Sequence, residues 1–232
     1  MIKINDMKKL NEYIEMYNIN EIFTQDMKPF MELLFFKKND HIFKENEDTN
    51  YLFLFVDGKA KVYTTLSNGR SLLLCFYQAF RMLGDVEVTG SKKVFNNVQA
   101  IEDTYCIGIS TENVKKHLLN DIKFLRYICN SLGEKLNSCS KNSSINQLYP
   151  LENRLASYII ATGDKFDING KITIIFDENL TEISELLGTS YRHLLRTLNE
   201  LCIKDILIKK TGYFEVCNEE VLIKLAADLY MW

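Results

Sequence analysis

The chain has 232 residues, 47% of them hydrophobic and 25% charged, with two prolines and a formal charge of −3. That is ordinary globular composition, long enough for two domains with separate cores. It excludes a strongly basic chain, and apolar runs as short as Tyr51–Val56 and Leu72–Tyr77 cannot cross a bilayer as a helix.

Polar and charged residues from Lys3 onward give no secretory pattern, so a cytoplasmic location without membrane contact is expected. The part after Leu148 holds nine lysines and arginines against thirteen acids, a balance of −4 that leaves +1 for the rest. This argues against DNA binding by bulk field, but phosphate contacts need only a few placed cations. Cys75, Cys106, Cys129, Cys139, Cys202 and Cys217 are scattered without a C-x-x-C pair, so neither a zinc site nor another metal site is expected.

Residues 3–35 read as helices. Leu10, Ile14 and Tyr17 fall on one face, and a second helical segment around Met27–Leu34 follows a Thr24 cap. From Phe35 the period changes to two. His41–Lys44, Tyr51–Val56, Lys59–Thr65, Ser71–Phe76 and Thr104–Ile109 read as strands, with turn signals at 38–40, 45–48, Asp57-Gly58 and Asn68-Gly69. Short strands at this spacing predict an antiparallel barrel or roll.

Thr111–Ser143 returns to helical spacing. Leu118, Leu125, Ile128, Leu132, Leu136 and Cys139 form one stripe with a period of roughly 3.5 residues. Such a stripe must be buried, either on a second copy of the chain or on the chain's own β domain. Gly133 weakens the helix, and Asn142-Ser143-Ser144 predicts a softening near its end.

Pro150 marks a boundary before an amphipathic helix, Leu151–Thr162, with Leu155, Tyr158 and Ile159 on one face. A β segment, Ile172–Phe176, follows. Asn179 with Glu182 forms a capping box for a short helix that buries Ile183, Leu186 and Leu187. Gly188 ends it, and Thr189-Ser190 can cap a second helix that buries Leu194, Leu195, Leu198 and Leu201. Tyr191, Arg192, His193 and Arg196 then point outward. Two short helices joined at a glycine, the second with outward Arg and His, make a helix-turn-helix. Ile206–Lys209, the Lys210-Thr211-Gly212 turn and Tyr213–Val216 add a hairpin wing, and Asn218 caps a last helix carrying Leu222, Leu225, Ala226 and Leu229.

The order of parts, and the residues themselves, resemble the CRP/FNR family of bacterial transcription regulators. Residues 36–70, FKKNDHIFKENEDTNYLFLFVDGKAKVYTTLSNGR, look like that family's β-roll opening, and MLGDVEV (82–88) resembles its phosphate-binding cassette. PLENRLASYI (150–159) and LTEISELLGTSYRHLLRTL (180–198) are similar to its hinge-following helix and its DNA-reading motif. LLNDIKFLR (118–126), ENRLA (152–156) and SYRHLL (190–195) look most like the YeiL-type branch. The resemblance implies an α+β fold: an antiparallel, jelly-roll-type β-roll like that of cyclic-nucleotide-binding domains, a long dimerisation helix, and a winged helix-turn-helix. The domain bounds expected are 1–110, 111–147 and 148–232.

The resemblance further implies a homodimer paired through Leu125, Ile128, Leu132 and Leu136, reading a two-fold symmetric duplex, with RNA polymerase as a partner. The family's base-contacting positions fall on Tyr191, Arg192, His193 and Arg196, with Thr189, Ser190, Lys209 and Lys210 suited to phosphate. Many members carry Glu where this chain has Arg192, and Arg can take guanine O6 and N7 bidentately.

Cyclic nucleotide binders of the family need a Gly-Glu pair for ribose and an Arg-Ser pair for the cyclic phosphate. Gly84-Asp85 stands in for the first, but Val94-Phe95-Asn96 occupies the second and cannot pair with a buried phosphate. Lys92 and Lys93 offer only point charges. Cys139-Ser140 lies where the family places two hydroxyls toward the base. The ligand-pocket candidates are therefore Gly84, Asp85, Val94, Phe95, Cys139 and Ser140, with no cyclic AMP response expected and the effector unassigned.

Iron–sulfur members carry clustered cysteines before the roll, and none precedes Cys75 here, so no cluster is expected. No cofactor is expected either. His41 and His117 are candidates for a haem ligand and read better as packing residues, while Cys106 or Cys129 could sense redox state. Besides a transcription regulator, two readings stay in view: a ligand-binding or redox-sensing module whose winged helix makes protein contacts, and an enzyme. The enzyme reading has no nucleophile–base pair, metal motif or P-loop behind it.

Overall fold

The computed structural model describes residues 1–88, 90, 93–168, 171–227, 229 and 230. The chain divides into two compact units, one formed by Met1–Thr64 with Phe76–Cys139, the other by Thr65–Cys75 with the described residues of 140–230.

The first unit begins with β1 (Ile2–Ile4), α1 (Met7–Met16), two 3₁₀ turns at Ile19–Ile22 and Lys28–Phe30, and β2 (Met31–Phe36). Then come β3 (His41–Phe43), β4 (Tyr51–Asp57), β5 (Lys59–Thr65), β6 (Ser71–Gln78, which through Cys75 counts with the second unit), β7 (Arg81–Leu83), the short α2 (Asp85–Val88), β8 (Asn97–Ala100) and β9 (Thr104–Ser110). Two antiparallel sheets result, ordered β1-β2-β9-β4-β7 and β3-β8-β5-β6. In β4, Leu52, Leu54 and Val56 face a core built with Leu10, Ile14, Ile22 and Met27. Phe53 points the other way, 5.4 Å from the Phe43 ring and 5.8 Å from Phe36. Side chains alternate across a strand, so one buried on both faces carries a continuous apolar run.

One sequence expectation fails here. Met27–Leu34 is not a second helix. Residues 31–36 pair with β9 from Met31↔Ile109 to Phe36↔Thr104. Thr24 caps nothing, because its N–H and hydroxyl both donate to Asp121, each at 2.7 Å. Leu33, Leu34 and Phe36 are all buried, and an apolar run of this length carries no period that separates strand from helix.

After α3 (Thr111–His117) the chain turns at Asp121, whose carboxylate also accepts from the N–H groups of Lys123 and Phe124, and starts α4 (Ile122–Leu148). α4 continues unbroken through 142–144, contrary to the expected softening. Asn142 is buried, and its amide donates to the Leu74 carbonyl at 2.8 Å within the second unit.

The second unit holds α5 (Leu151–Thr162), β10 (Asp164–Ile168), β11 (Lys171–Phe176), α6 (Leu180–Leu186), α7 (Tyr191–Ile203), β12 (Leu207–Lys209), β13 (Phe214–Val216) and α8 (Glu219–Ala226). Its sheet is ordered β10-β11-β13-β12. α8 ends at Ala226, and Leu229 is buried beyond it. There the Leu229 carbonyl accepts from the Ser157 hydroxyl, while Asn153 donates to the Leu225 carbonyl at 2.9 Å, tying α5 to this end of the chain.

Candidate nucleic-acid interface

The helix-turn-helix is built by its caps. The Asn179 carboxamide accepts from Thr181 N–H at 2.9 Å, which starts α6. Gly188 has φ +59, a conformation that L side chains rarely adopt, and lets the chain reverse after Leu187. Ser190 then adopts extended backbone, and its hydroxyl accepts from His193 N–H at 3.2 Å, starting α7. Leu194, Thr197, Leu198 and Leu201 are buried, and Leu195 is half-buried. Tyr191, Arg192, His193 and Arg196 are exposed together on the opposite face. Arg196 leans on Glu200 at 3.7 Å. The Thr189 hydroxyl lies 3.2 Å from His193 Nδ1.

Arg154, which the sequence reading passed over, donates to the Leu187 carbonyl at 2.6 Å and so caps the C-terminal end of α6. Its signal was present in the ENRLA motif but no rule of spacing points from 154 to 187. In the wing, Lys209 ends β12 and Lys210 closes the turn by donating to the Tyr213 carbonyl at 2.9 Å. The Lys210 ammonium stands 3.7 Å from the Glu215 carboxylate, so part of its charge is answered within the wing.

α4 carries two faces rather than one stripe. Phe124 and Ile128 are buried in the core of the first unit. Ile128 is therefore not part of an outward surface, a correction to the expected dimer set. The outward face carries Leu125, Cys129, Leu136 and Cys139, with Leu136 74% exposed, and half-buried Leu132 stands at its edge, packed against the core of the first unit. Steps of four and three residues connect these positions, the spacing of a coiled-coil seam. Cys129 takes the place that the sequence reading gave to Ile128.

Nor do the six pocket candidates gather around one of the described cavities. Asp85 is buried and already paired: Lys135 Nζ lies 2.6 Å from one carboxylate oxygen, and the Ser131 hydroxyl donates to the other at 2.9 Å. Lys135 also donates to the Met82 carbonyl at 2.8 Å. Gly84 has φ +92, where a Cβ would stand 3.1 Å from the Tyr51 carbonyl oxygen. Val94 is buried, exchanging backbone bonds with Asn46 and Glu47, whereas Phe95, Cys139 and Ser140 are exposed. Lys92 lies outside the described residues. A cavity of about 260 Å³ is lined instead by Asp48, Thr49, Asn50, Glu87, Val88, Thr111, Val114 and Lys115. Burial there pushes the Glu87 carboxyl up.

Residues 33–121 match the family model of the cyclic nucleotide-binding domain. Solved structures share the architecture. A structure from Eubacterium rectale described as a CRP/FNR-family transcriptional regulator aligns with a TM-score of 0.71 at 16% identity, covering 93% of this chain and 99% of that one. A CRP-family regulator from Thermus thermophilus aligns at 0.65 and 15% identity, covering 85% and 98%. The chain is also 32% identical over 211 residues to regulatory protein YeiL of Escherichia coli O157:H7, covering 90% of this chain and 92% of that protein. The chain belongs to the CRP/FNR family. It is a transcription regulator of the CRP/FNR type.

Within this CRP/FNR regulator the other sensor candidates are placed as follows. Cys106 is fully buried on β9, and burial pushes its thiol up, so it is withdrawn from any exposed sensing role. Cys129 is exposed on α4. His41 Nε2 lies 2.9 Å from the Tyr63 hydroxyl, and burial lowers its basicity. The His117 ring stacks on Phe30 at 4.6 Å. Among the described residues, no three His, Cys, Asp or Glu side chains are grouped to hold a metal ion.

Proposed function

We propose that this CRP/FNR regulator is a homodimer that reads a two-fold symmetric duplex through α7. One observation carries the reading: a Ser190-capped helix, packed on its leucine face, holds Tyr191, Arg192, His193 and Arg196 out together. The opposite face is fixed, so the backbone that carries these four is fixed with it. Arg192 supplies a fork that matches guanine O6 and N7, and Ser190 with the helix N-terminus suits a phosphate. The outward seam of α4 supports pairing with a second copy, and a two-fold reader of this kind takes half-sites about one helical turn, roughly 10 base pairs, apart. RNA polymerase in the cytoplasm is the partner that such a regulator requires.

The same reading assigns no control by cyclic AMP. An Asp85 carboxylate that is buried and paired with Lys135 and Ser131 is withdrawn from a ribose, and buried Val94 offers a cyclic phosphate nothing. The test is selection of duplexes from a random pool by the full-length protein, with and without cyclic AMP. The expected result is a symmetric motif, the same in both arms, bound less tightly as salt rises. A motif lacking symmetry, or one enriched only with cyclic AMP, overturns the corresponding half of the reading.

A further inference from the structure

We infer that Thr189 is a positioning residue for His193, and that the two form a unit presenting one N–H donor, at His193 Nε2, to an acceptor on duplex DNA. The inference rests on the reading of α7 as the DNA-facing helix and adds to it a role for the residue before the helix. Thr189 is not on a free loop. Its N–H donates to the Ser184 carbonyl at 2.9 Å, and Gly188 N–H donates to Glu185 at 2.8 Å. His193 is held on both backbone sides, its N–H by the Ser190 hydroxyl at 3.2 Å and its carbonyl by the Thr197 hydroxyl at 3.1 Å. The freedom that remains is that of the side-chain torsions, and the Thr189 hydroxyl, 3.2 Å from Nδ1, restrains it.

The chemistry of a hydroxyl suits this task. It donates to Nδ1 of a neutral ring protonated at Nε2, and accepts from Nδ1–H of an imidazolium. In both states Nε2–H faces outward as a donor. The remaining tautomer would turn a lone pair toward the phosphate backbone, which its negative charge disfavours. Without the hydroxyl, the broad and roughly two-fold torsion of the ring presents either nitrogen, and the ring must be ordered on binding.

The test is a double-mutant cycle in the full-length protein: Thr189→Val, His193→Ala and both together, with Thr189→Ser as rescue. Dissociation constants are measured on a duplex selected by the wild-type protein and on a scrambled duplex of equal length. Thr189→Val should weaken binding about three- to ten-fold, the size expected for ordering one side chain. Thr189→Ser should restore it, and Thr189→Val should add nothing once His193 is alanine. Loss on both duplexes identifies a phosphate as the acceptor, and loss on the selected duplex alone a base edge. Equal loss with and without His193, or no loss, overturns the inference. Failure of the underlying DNA reading looks different, since the wild-type protein would then prefer neither duplex.

Discussion

Lys135 of α4 sits 2.6 Å from the carboxylate of Asp85, the residue that opens α2, and the pair is closed off by Ser131 and the Met82 carbonyl. Asp85 is 1% exposed and the Lys135 side chain 18% exposed. The cassette is thereby tied to the long helix by a cation from the chain itself. A charge so buried is tolerated only because every neighbour answers it.

Lys135→Met should therefore leave an uncompensated carboxylate and destabilise the first unit by about 3–5 kcal/mol. Pairing it with Asp85→Leu should recover much of that loss, because the charge is removed with its partner. Chemical denaturation of the two single variants and the double checks this. Additive losses in the double variant would show that the two groups do not answer one another.

The two faces of α4 make a second contrast. Ile128 is 2% exposed, so Ile128→Ala should cost about 2–5 kcal/mol of folding stability through the cavity it leaves. Leu136 is 74% exposed in the protomer, and Leu136→Asp should change protomer stability by no more than roughly 0.5 kcal/mol while separating the dimer. Sedimentation and thermal unfolding, run on both variants, distinguish the two effects. A Leu136→Asp protein that remains dimeric would place the interface elsewhere.

What could be read from the chain follows from where its information is local. The helix-turn-helix was legible because Asn179, Gly188 and Ser190 each solve a backbone problem within a few residues of themselves, and Leu194, Leu198 and Leu201 keep the helical period. β5 ran from Lys59 to Thr65 as expected, bounded by Gly58 on one side. β2 was misread because an apolar run buried on both faces has no period. β7, β8 and β10 were missed because strands of three to five residues leave little pattern. Ile128 and Cys129 adjoin in sequence, and only packing decides which one faces outward. The Asp85–Lys135 contact joins residues fifty apart, and Arg154 reaches Leu187 across thirty-three, so neither could be seen by spacing.

Burial sorts the thiols. Cys129 and Cys139 are exposed on α4, whereas Cys75 and Cys106 are buried. A thiol reagent added to the folded Leu136→Asp protein, whose α4 seam is open, should modify Cys129 and Cys139 quickly, and Cys75 and Cys106 only as it unfolds, whereas pairing through the seam in the wild-type protein should slow Cys129 and Cys139. Because burial raises the Cys106 thiol, its protonated form is the one the core tolerates. Its contribution to stability should be complete below the ordinary thiol range, near about 8.5, and should decline as pH rises further. Mass spectrometry of labelled peptides across pH reports both effects. Early modification of Cys106 at neutral pH would contradict its placement.

Arg192 supports the sharpest test of DNA reading. It is exposed on the face of α7 opposite Leu194 and Leu198, and carries a planar fork of donors. If it reads guanine, Arg192→Ala should cost about 1–3 kcal/mol at one base pair in each half-site and relax preference there alone. Arg192→Lys should not restore that preference, since an ammonium cannot match O6 and N7 together. Repeating the duplex selection with each variant measures this position by position. Symmetric loss at a single position per half-site is the expected result. Uniform weakening across all sequences, with a shallower salt dependence, would instead make Arg192 a phosphate contact and leave specificity to Tyr191, His193 and Arg196.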